Sequence, residues 1–579
     1  MPTNLTNPSP SSFFRRSRDY FALILLSSAI SVGALVFYYH QGTLLLYGDA
    51  VAHINIARRV FDSRTPGLFQ LGTVWLPLPH VLDIPFIMNV WFWRTGLGGS
   101  IPSMLAYVMA TLGVFRLVRG LASRASAWIA AVIFALNPNL IYMQATAMTE
   151  ALYLALFVWT VVFFSEFART AGPDPERAAK SLRNCAFTLS PAMLVRYDAW
   201  FLAAVVVTAA SGLIVKMRVS LLRGSTSFRP SIQGSRPGLT YAAPPALGRR
   251  EGRVLSREVT NLAALAALTA GLWLAYNYAR WGNALEFVNG PYSAHAIQQQ
   301  TRTSTMPSYP GENSPRTAAL YFLKLTRLNL GQGFAEHLLL TIAVVALLCA
   351  LYFSRQFLPW ALLWTPVLFY VLCIAWGSVP IYFPDWWPYS YYNVRYGLQL
   401  LPAVAVFVAL AYEFLHTVLK GHGFQPCRQD VPHARGFSRW PAFAVLIVVA
   451  TSYVTLWRQT PICLREAQAN GRARLEFDHR LAAELKKLPT ASTLLMDCSA
   501  HAGAVQPAGI PFRRVLRESN PPYWEAALSE PSLAADYIVA IEGDDVDRAV
   551  RRSPQRLQPV VTVGTPPGPK ATIYRSMHY

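Results

Sequence analysis

Charge and cysteine are what this sequence has least of. Only 14% of its 579 residues are charged, with 30 acids against 51 lysines and arginines, where a soluble domain carries about 25% charged residues. The 53% hydrophobic residues are grouped, not spread at core spacing. Several uncharged windows of about 17–21 residues are long enough to cross a ~30 Å hydrocarbon layer, which excludes an ordinary soluble protein. The six cysteines show no CxxC spacing, so no zinc or redox motif is present. No Walker or Rossmann glycine loop appears, which leaves nucleotide chemistry without its usual cradle. No internal repeat is found. No AxA-like cleavage site follows the first apolar segment, which further spans follow in turn, so it is not read as a cleaved signal peptide. A net charge of +21 would suit nucleic acid, but the basic residues fall in loops between apolar segments, as membrane orientation requires.

The expected fold class is an α-helical polytopic membrane protein of about 11 transmembrane helices with a small C-terminal extracytoplasmic α/β domain. Residues 1–19 read as a cytoplasmic tail, 20–458 as the membrane domain and 459–579 as the extracytoplasmic domain. The spans fall at about 20–40, 101–118, 126–143, 149–167, 183–195, 199–216, 259–278, 336–354, 357–376, 396–416 and 440–457. Segment 75–93, broken by Pro77, Pro79 and Pro85, is laid along the outer interface within a first outer loop, 41–99. A basic cytoplasmic loop covers 217–257, and a further outer loop covers 280–335. Loops placed inside carry 24 lysines and arginines against 11 in the outer loops before the tail, the bias expected for a multi-pass protein of the inner (plasma) membrane with a cytoplasmic N-terminus.

In the tail, a polar stretch at about 465–488 reads as a helix. "STLLMD", "DYIVAIE", "LQPVVTVG" and "KATIYRS" read as strands, while "YWEAALSEPSLAA" and "DDVDRAVRR" read as helices. Cys463 and Cys498 share this region; a disulfide between them or two free thiols are both open.

Polar residues at span ends are the candidates for chemistry, because an ionisable group at membrane depth is costly to place. They are Asp49, His53, His80, Glu150, Arg196, Asp198, Arg280, Asp385 and Arg395. Asp49 and His53 are four apart and share a face if 49–62 is helical, with Ala50, Ile54, Ala57 and Phe61 as an apolar stripe. Such a helix would lie on the membrane surface, and Asp49 would either cap it or serve as an acid/base. Glu150 opens a span, where a carboxylate also complements the helix dipole. His80 reads as a packed interfacial histidine or a ligand. Arg196 and Arg395 either snorkel to headgroups or hold an anion, while Arg58 and Arg59 anchor the helix to headgroups. Asp49, His53, His80 and Glu150 offer mixed N/O ligands for a divalent metal. No cofactor is demanded by the pattern. Trp386, Trp387, Tyr391 and Tyr392 read as an aromatic belt or a sugar platform.

"GDAVAHINIARR" after the first span, "LNPNLIYMQATAMTEALYLAL" and "NVRYGLQLLP" resemble, in order and topology, the acidic motifs and the basic span entry of the GT-C superfamily. These are polytopic glycosyltransferases that include the protein O-mannosyltransferases (family 39) and the aminoarabinose transferase of lipid A. The resemblance covers roughly residues 20–416. The first motif has one Asp followed by Ala where several members have paired acids, and Glu150 stands where Asp is commoner. The resemblance implies transfer of a sugar from a polyprenyl-phosphate donor, with inversion, to an acceptor glycan, lipid or protein on the extracytoplasmic face. Asp49 is then the base and Glu150 orients acceptor or sugar. Arg395, Arg196 and Arg280, in that order, steady the departing phosphate, and His53 and His80 contact substrate. A flippase for lipid-linked sugars and a non-catalytic envelope scaffold are the alternatives.

Overall fold

The computed structural model describes residues 10–224, 249–301, 308–353, 355–419, 440–564 and 568–577. Much of the basic loops at 217–257 and 420–439 lies outside these residues. Among the described residues, eight helices are long and apolar enough to cross a membrane, or nine if one bent pair is a single span. The pattern of spans is therefore leaner than the 11 expected from the sequence, for three physical reasons. The span expected at 126–143 is two helices, Arg124–Ala135 and Pro138–Gln144, bent by 62°. Pro138 lacks the amide that would continue the first helix, and Asn137 caps the second by accepting from Asn139 N and Leu140 N. The stretch 183–195 belongs to an amphipathic helix, Pro175–Met193, whose Arg183 pairs with Glu258 at 2.8 Å. The apolar part of Phe334–Phe353 is short. Segment 75–93 forms the helices Leu78–Ile87 and Val90–Thr95; the first is about 15 Å long at 1.5 Å per residue, too short to cross.

The first helix, Pro10–His40, exposes Phe21, Leu25, Val32 and Val36, an apolar face suited to lipid. Inside, Tyr107, Phe115, Phe134, Tyr142, Phe157 and Phe167 are buried at the centre of the helical domain.

The tail is an α/β unit built on a five-stranded sheet in the order β2-β1-β3-β5-β4, with β1 Leu494–Met496, β2 Val515–Leu516, β3 Tyr537–Ile541, β4 Leu557–Gly564 and β5 Lys570–Ser576. β1 pairs parallel with β2 and β3, and β5 pairs antiparallel with β3 and β4. Each strand expected from the sequence is present. The two-residue β2 and the helix Ala502–Ala508 are additional, both too short to leave a periodic signal. The polar stretch is one helix, Ile462–Leu485. Cys463 and Cys498 are both free and buried, and Cys463 Sγ lies 3.5 Å from Asn329 Oδ1.

The tail is docked on the segment 41–99. Asn55 and Gln506 bond side chain to side chain at 3.0 Å, and both hold Trp93, through its Nε1 and its carbonyl. Arg474 donates to the carbonyls of Leu45 and Leu46. Gly471 lies so close to the Leu45–Leu46 backbone that a Cβ there would run into Leu46 O.

Candidate active site

The helix Gly48–Arg59 begins after Tyr47, whose extended backbone (φ −68°, ψ 126°) turns the chain out of the first span. Tyr47 is the capping residue and makes no side-chain cap bond, so Asp49 sits inside the first turn and of its two alternatives the cap does not hold. The helix is also no surface helix. Val51, His53, Ile54, Asn55, Ala57 and Arg58 are all buried, because the loop helices that follow and, at Asn55, the tail cover the face that would otherwise be wet. Phe61, assigned to the apolar stripe, is exposed. Arg58 and Arg59 do not reach for headgroups. Arg58 pairs with Asp62 at 2.9 Å, donates to Ile87 O, and lies over the rings of Phe61 and Trp93. Arg59 donates to Gln70 O at 2.8 Å.

Asp49 faces Arg395, which enters from the start of another span. Arg395 Nη2 donates to Asp49 Oδ2 at 2.6 Å. Its Nε lies 3.2 Å from Glu150 Oε1, an ion pair whose angle makes no hydrogen bond. Its Nη1 is 3.9 Å from Glu466 Oε1. The guanidinium is held between the rings of Tyr47 and Tyr396, 5.3 and 5.2 Å from their centres, contacts that favour a cation. Arg196 approaches Glu150 from the other side. Its Nη1 donates to Glu150 Oε1 at 3.3 Å, its Nε to Asp198 Oδ1 at 3.1 Å, and its Nη2 to the Tyr370 hydroxyl at 2.8 Å. That hydroxyl donates onward to Asp198 Oδ2 at 2.8 Å. One oxygen of Glu150 thus serves both arginines, while its Oε2 is buried with no partner among the described residues.

Exposure separates the four carboxylates. Asp49 has 34% of its side chain accessible; Glu150, Asp198 and Glu466 have 0, 5 and 2%. Only Asp49 among them can meet a substrate without rearrangement. The other three neutralise and aim the arginines, since a buried guanidinium needs paired charge.

Glu466 is the residue that sequence reasoning missed. It lies in the first turns of Ile462–Leu485, accepts from the Tyr47 hydroxyl at 2.6 Å and from Val394 N at 3.2 Å, and so ties the tail to both the Asp49 linker and the Arg395 span entry.

His53 and His80 lie outside this ring. His53 Nδ1 and His80 Nε2 are 2.8 Å apart, and both side chains are buried beside Trp75. Burial pushes the His53 imidazole down to about 4, against the pull of Asp49 one turn away, so it is neutral at physiological pH. Arg280 is not with Arg196 and Arg395; it donates to Phe69 O at 3.4 Å and lies over Trp281. Asp385 pairs with Lys324 at 2.7 Å. The four residues offered for a metal are divided, the two histidines against each other and Asp49 and Glu150 against Arg395. Among the described residues no group of three or more His, Cys, Asp or Glu side chains is placed to hold a metal ion.

No protein-family model and no curated protein matches the sequence. Among solved structures, the chain aligns with ArnT from Cupriavidus metallidurans bound to undecaprenyl phosphate at a TM-score of 0.54 and 12% identity, over 95% of this chain and 97% of that one. The apo state of the same ArnT aligns at 0.52 and 12%, over 94% and 97%. The chain thus shares the fold of ArnT over nearly its whole length.

Proposed function

We propose that the protein is an inverting membrane glycosyltransferase that moves a sugar from a polyprenyl-phosphate donor to an acceptor on the extracytoplasmic face of the inner membrane. The observation that carries this reading is the pair of buried arginines, Arg395 and Arg196, joined through Glu150 beside the accessible Asp49. The fold adds support, because a structure sharing it holds undecaprenyl phosphate. The excess of basic residues in the loops 116–124, 169–183 and 216–257 supports placing the site on the outer side.

In this reading the donor phosphate meets Arg395 and Arg196, whose forked donors match its oxygens. The acceptor oxygen attacks the anomeric carbon from the face opposite the phosphate, and Asp49 takes the hydroxyl proton. The bond from the anomeric carbon to the phosphate oxygen breaks, its electron pair leaves with the polyprenyl phosphate, and the arginines hold that developing charge. One displacement inverts the centre. No proton need be given to the leaving group, since a phosphate ester leaves as an anion. Glu150, Asp198 and Glu466 act as positioning residues that fix the two guanidinium planes.

A deletion strain analysed by mass spectrometry of its envelope glycans and glycolipids should lack one modification, which wild-type protein restores. Asp49→Asn keeps the shape, and restoration should fall by roughly 10²–10⁴ with membrane insertion intact. Near-wild-type restoration by Asp49→Asn would end the catalytic role of this residue.

A further inference from the structure

A second polar centre lies where the first outer loop meets the tail. The carbonyls of Leu68, Phe69 and Gln70 accept in turn from the Tyr276 hydroxyl, Arg280 Nε and Arg59 Nε. Against this turn pack Arg517, Glu518, Ser519 and Asn520 of the tail. Gln70 Nε2 donates to Thr65 and to Ser519 O, and Asn520 Nδ2 donates to Thr65 Oγ1. Arg517 spends Nε and Nη2 on Glu518 Oε1.

Gln70 Oε1, Arg517 Nη1, Ser519 Oγ, Asn520 Oδ1 and Arg64 Nε are buried without a partner among the described residues. Gln70, Arg517 and Asn520 are 4, 3 and 0% exposed. Buried polar atoms are ordinarily satisfied, and each orphan is costly. Free donors and free acceptors side by side suit hydroxyl groups, which give and accept at once. The charge is biased as well. Arg59, Arg64, Arg280 and Arg517 border the turn; Glu518 contacts Arg517, Asp497 and Asp545 act on Arg517 or on the rim at Tyr292, and Asp62 is already paired with Arg58 and Arg513. Burial and the nearby Arg517 push the Arg59 guanidinium down to about 10. The rim carries exposed Phe69 and Tyr292, flat faces for the apolar side of a sugar ring.

We propose that this seam binds an acidic saccharide, a hydroxyl-rich ligand carrying a carboxylate or phosphate. Asp49 and Arg59 open and close one helix, which puts the seam about 15 Å from the base at 1.5 Å per residue. A glycan of a few sugars held at the seam therefore reaches Asp49 with its far end, and the seam serves as an acceptor subsite. That last step rests on the transferase reading; the binding chemistry does not.

The test uses full-length protein in nanodiscs on an array of oligosaccharides of two to six sugars, each as a neutral parent and as uronate-bearing and phosphorylated forms. Acidic forms should be retained at least tenfold over their neutral parents. Arg280→Gln should cut acidic retention at least threefold and leave neutral retention unchanged. Ser519→Phe, which sets a ring where Ser519 Oγ lies buried, should abolish both, and Asp49→Asn should bind as wild type while losing transfer. If Ser519→Phe does not fold, Ser519→Ala, which removes an oxygen that bonds nothing, should still fold and weaken retention at least threefold. The proposal is overturned if no saccharide is retained, if retention ignores these substitutions, or if it appears only when the nanodiscs contain phosphatidylglycerol, which would make the seam a headgroup contact. Intact binding with Asp49→Asn fully active would refute the transferase reading of Asp49 and leave the seam standing.

Discussion

Glu150→Gln separates a carboxylate that positions arginines from one that touches substrate. The substitution keeps size and removes one charge. Guanidinium nitrogens of Arg196 and Arg395 lie 3.3 and 3.2 Å from the same oxygen of Glu150, so those nitrogens are no further apart than the sum of the two distances, about 6.5 Å. At an effective dielectric of about 20, that spacing repels by about 2.5 kcal/mol once the shared anion is gone. Removing one partner of a buried ion pair costs roughly 3–5 kcal/mol; Asp49 and Asp198 still contact the arginines, so the lower end applies. The unmet positive charge is what a lipid phosphate seeks. Glu150→Gln should therefore lower stability by about 3 kcal/mol, bind undecaprenyl phosphate at least threefold more tightly, and still fall at least tenfold in restoring the missing envelope modification. Stability is read by denaturant titration in detergent and lipid binding by titration in nanodiscs. If the lipid binds more weakly, or restoration is undiminished, Glu150 does not work through the arginines.

Three further outcomes follow from single contacts. His53, buried and held neutral down to about pH 4, takes up its proton in the unfolded chain near 6.5; its share of stability, about 3 kcal/mol, is full above pH 6.5 and is lost as the pH falls from 6.5 towards 4, and His53→Gln should flatten that slope in denaturant titrations. Gly471→Ala places a methyl group against the backbone carbonyl of Leu46, which cannot swing aside as a side chain would, so it should destabilise by about 1–3 kcal/mol and reduce restoration; an unchanged unfolding midpoint would show that the tail helix sits further from the linker. Arg395→Lys keeps the charge but cannot reach Asp49, Glu150 and Glu466 at once, so undecaprenyl phosphate binding should weaken several-fold, and Arg395→Ala should weaken it further.

The site was half legible in the sequence. Asp49, Glu150, Arg196 and Arg395 stand out because each interrupts an apolar run at its end, where a charge is costly unless it is used. Glu466 gives no such signal. It sits in "LREAQANGRARLEFDHR", where charge is common, and its burial comes from the Ile462, Cys463, Leu464 and Ala467 face that packs inward. A helical-period reading of that face would have marked it. Arg280 and Arg196 look alike in sequence, one at the end of a helix and one at the start; which of them faces Glu150 depends on how helices are arranged around the ring, which one chain's pattern does not encode. The same limit misplaced Arg58 and Arg59. Their polar face would be wet in an isolated helix; the rest of the loop, through Asp62, Ile87 and Gln70, and the docked tail together make it an interior. The break at Pro138 was readable in principle, since proline after Asn137 is both a helix stop and a helix start.

The tail is coupled to the chemistry through position. The linker between the first span and the Asp49 helix is gripped three times by Ile462–Leu485, through Glu466 on Tyr47, Gly471 under Leu46 and Arg474 on the carbonyls of Leu45 and Leu46. Glu466 also fixes the amide of Val394, one residue before Arg395. The base and its arginine therefore take their separation from a helix that belongs to neither span. A membrane domain without this helix would keep Asp49 and Arg395 in the chain, but with the Tyr47 hydroxyl and Val394 N without Glu466 and no third carboxylate near the Arg395 guanidinium. The tail is then part of the proposed active site, and the proposed saccharide seam, built half from the same loop, lies on the next surface along the Asp49 helix. In the proposed reaction, docking one domain sets both the geometry at Asp49 and the approach of the acceptor.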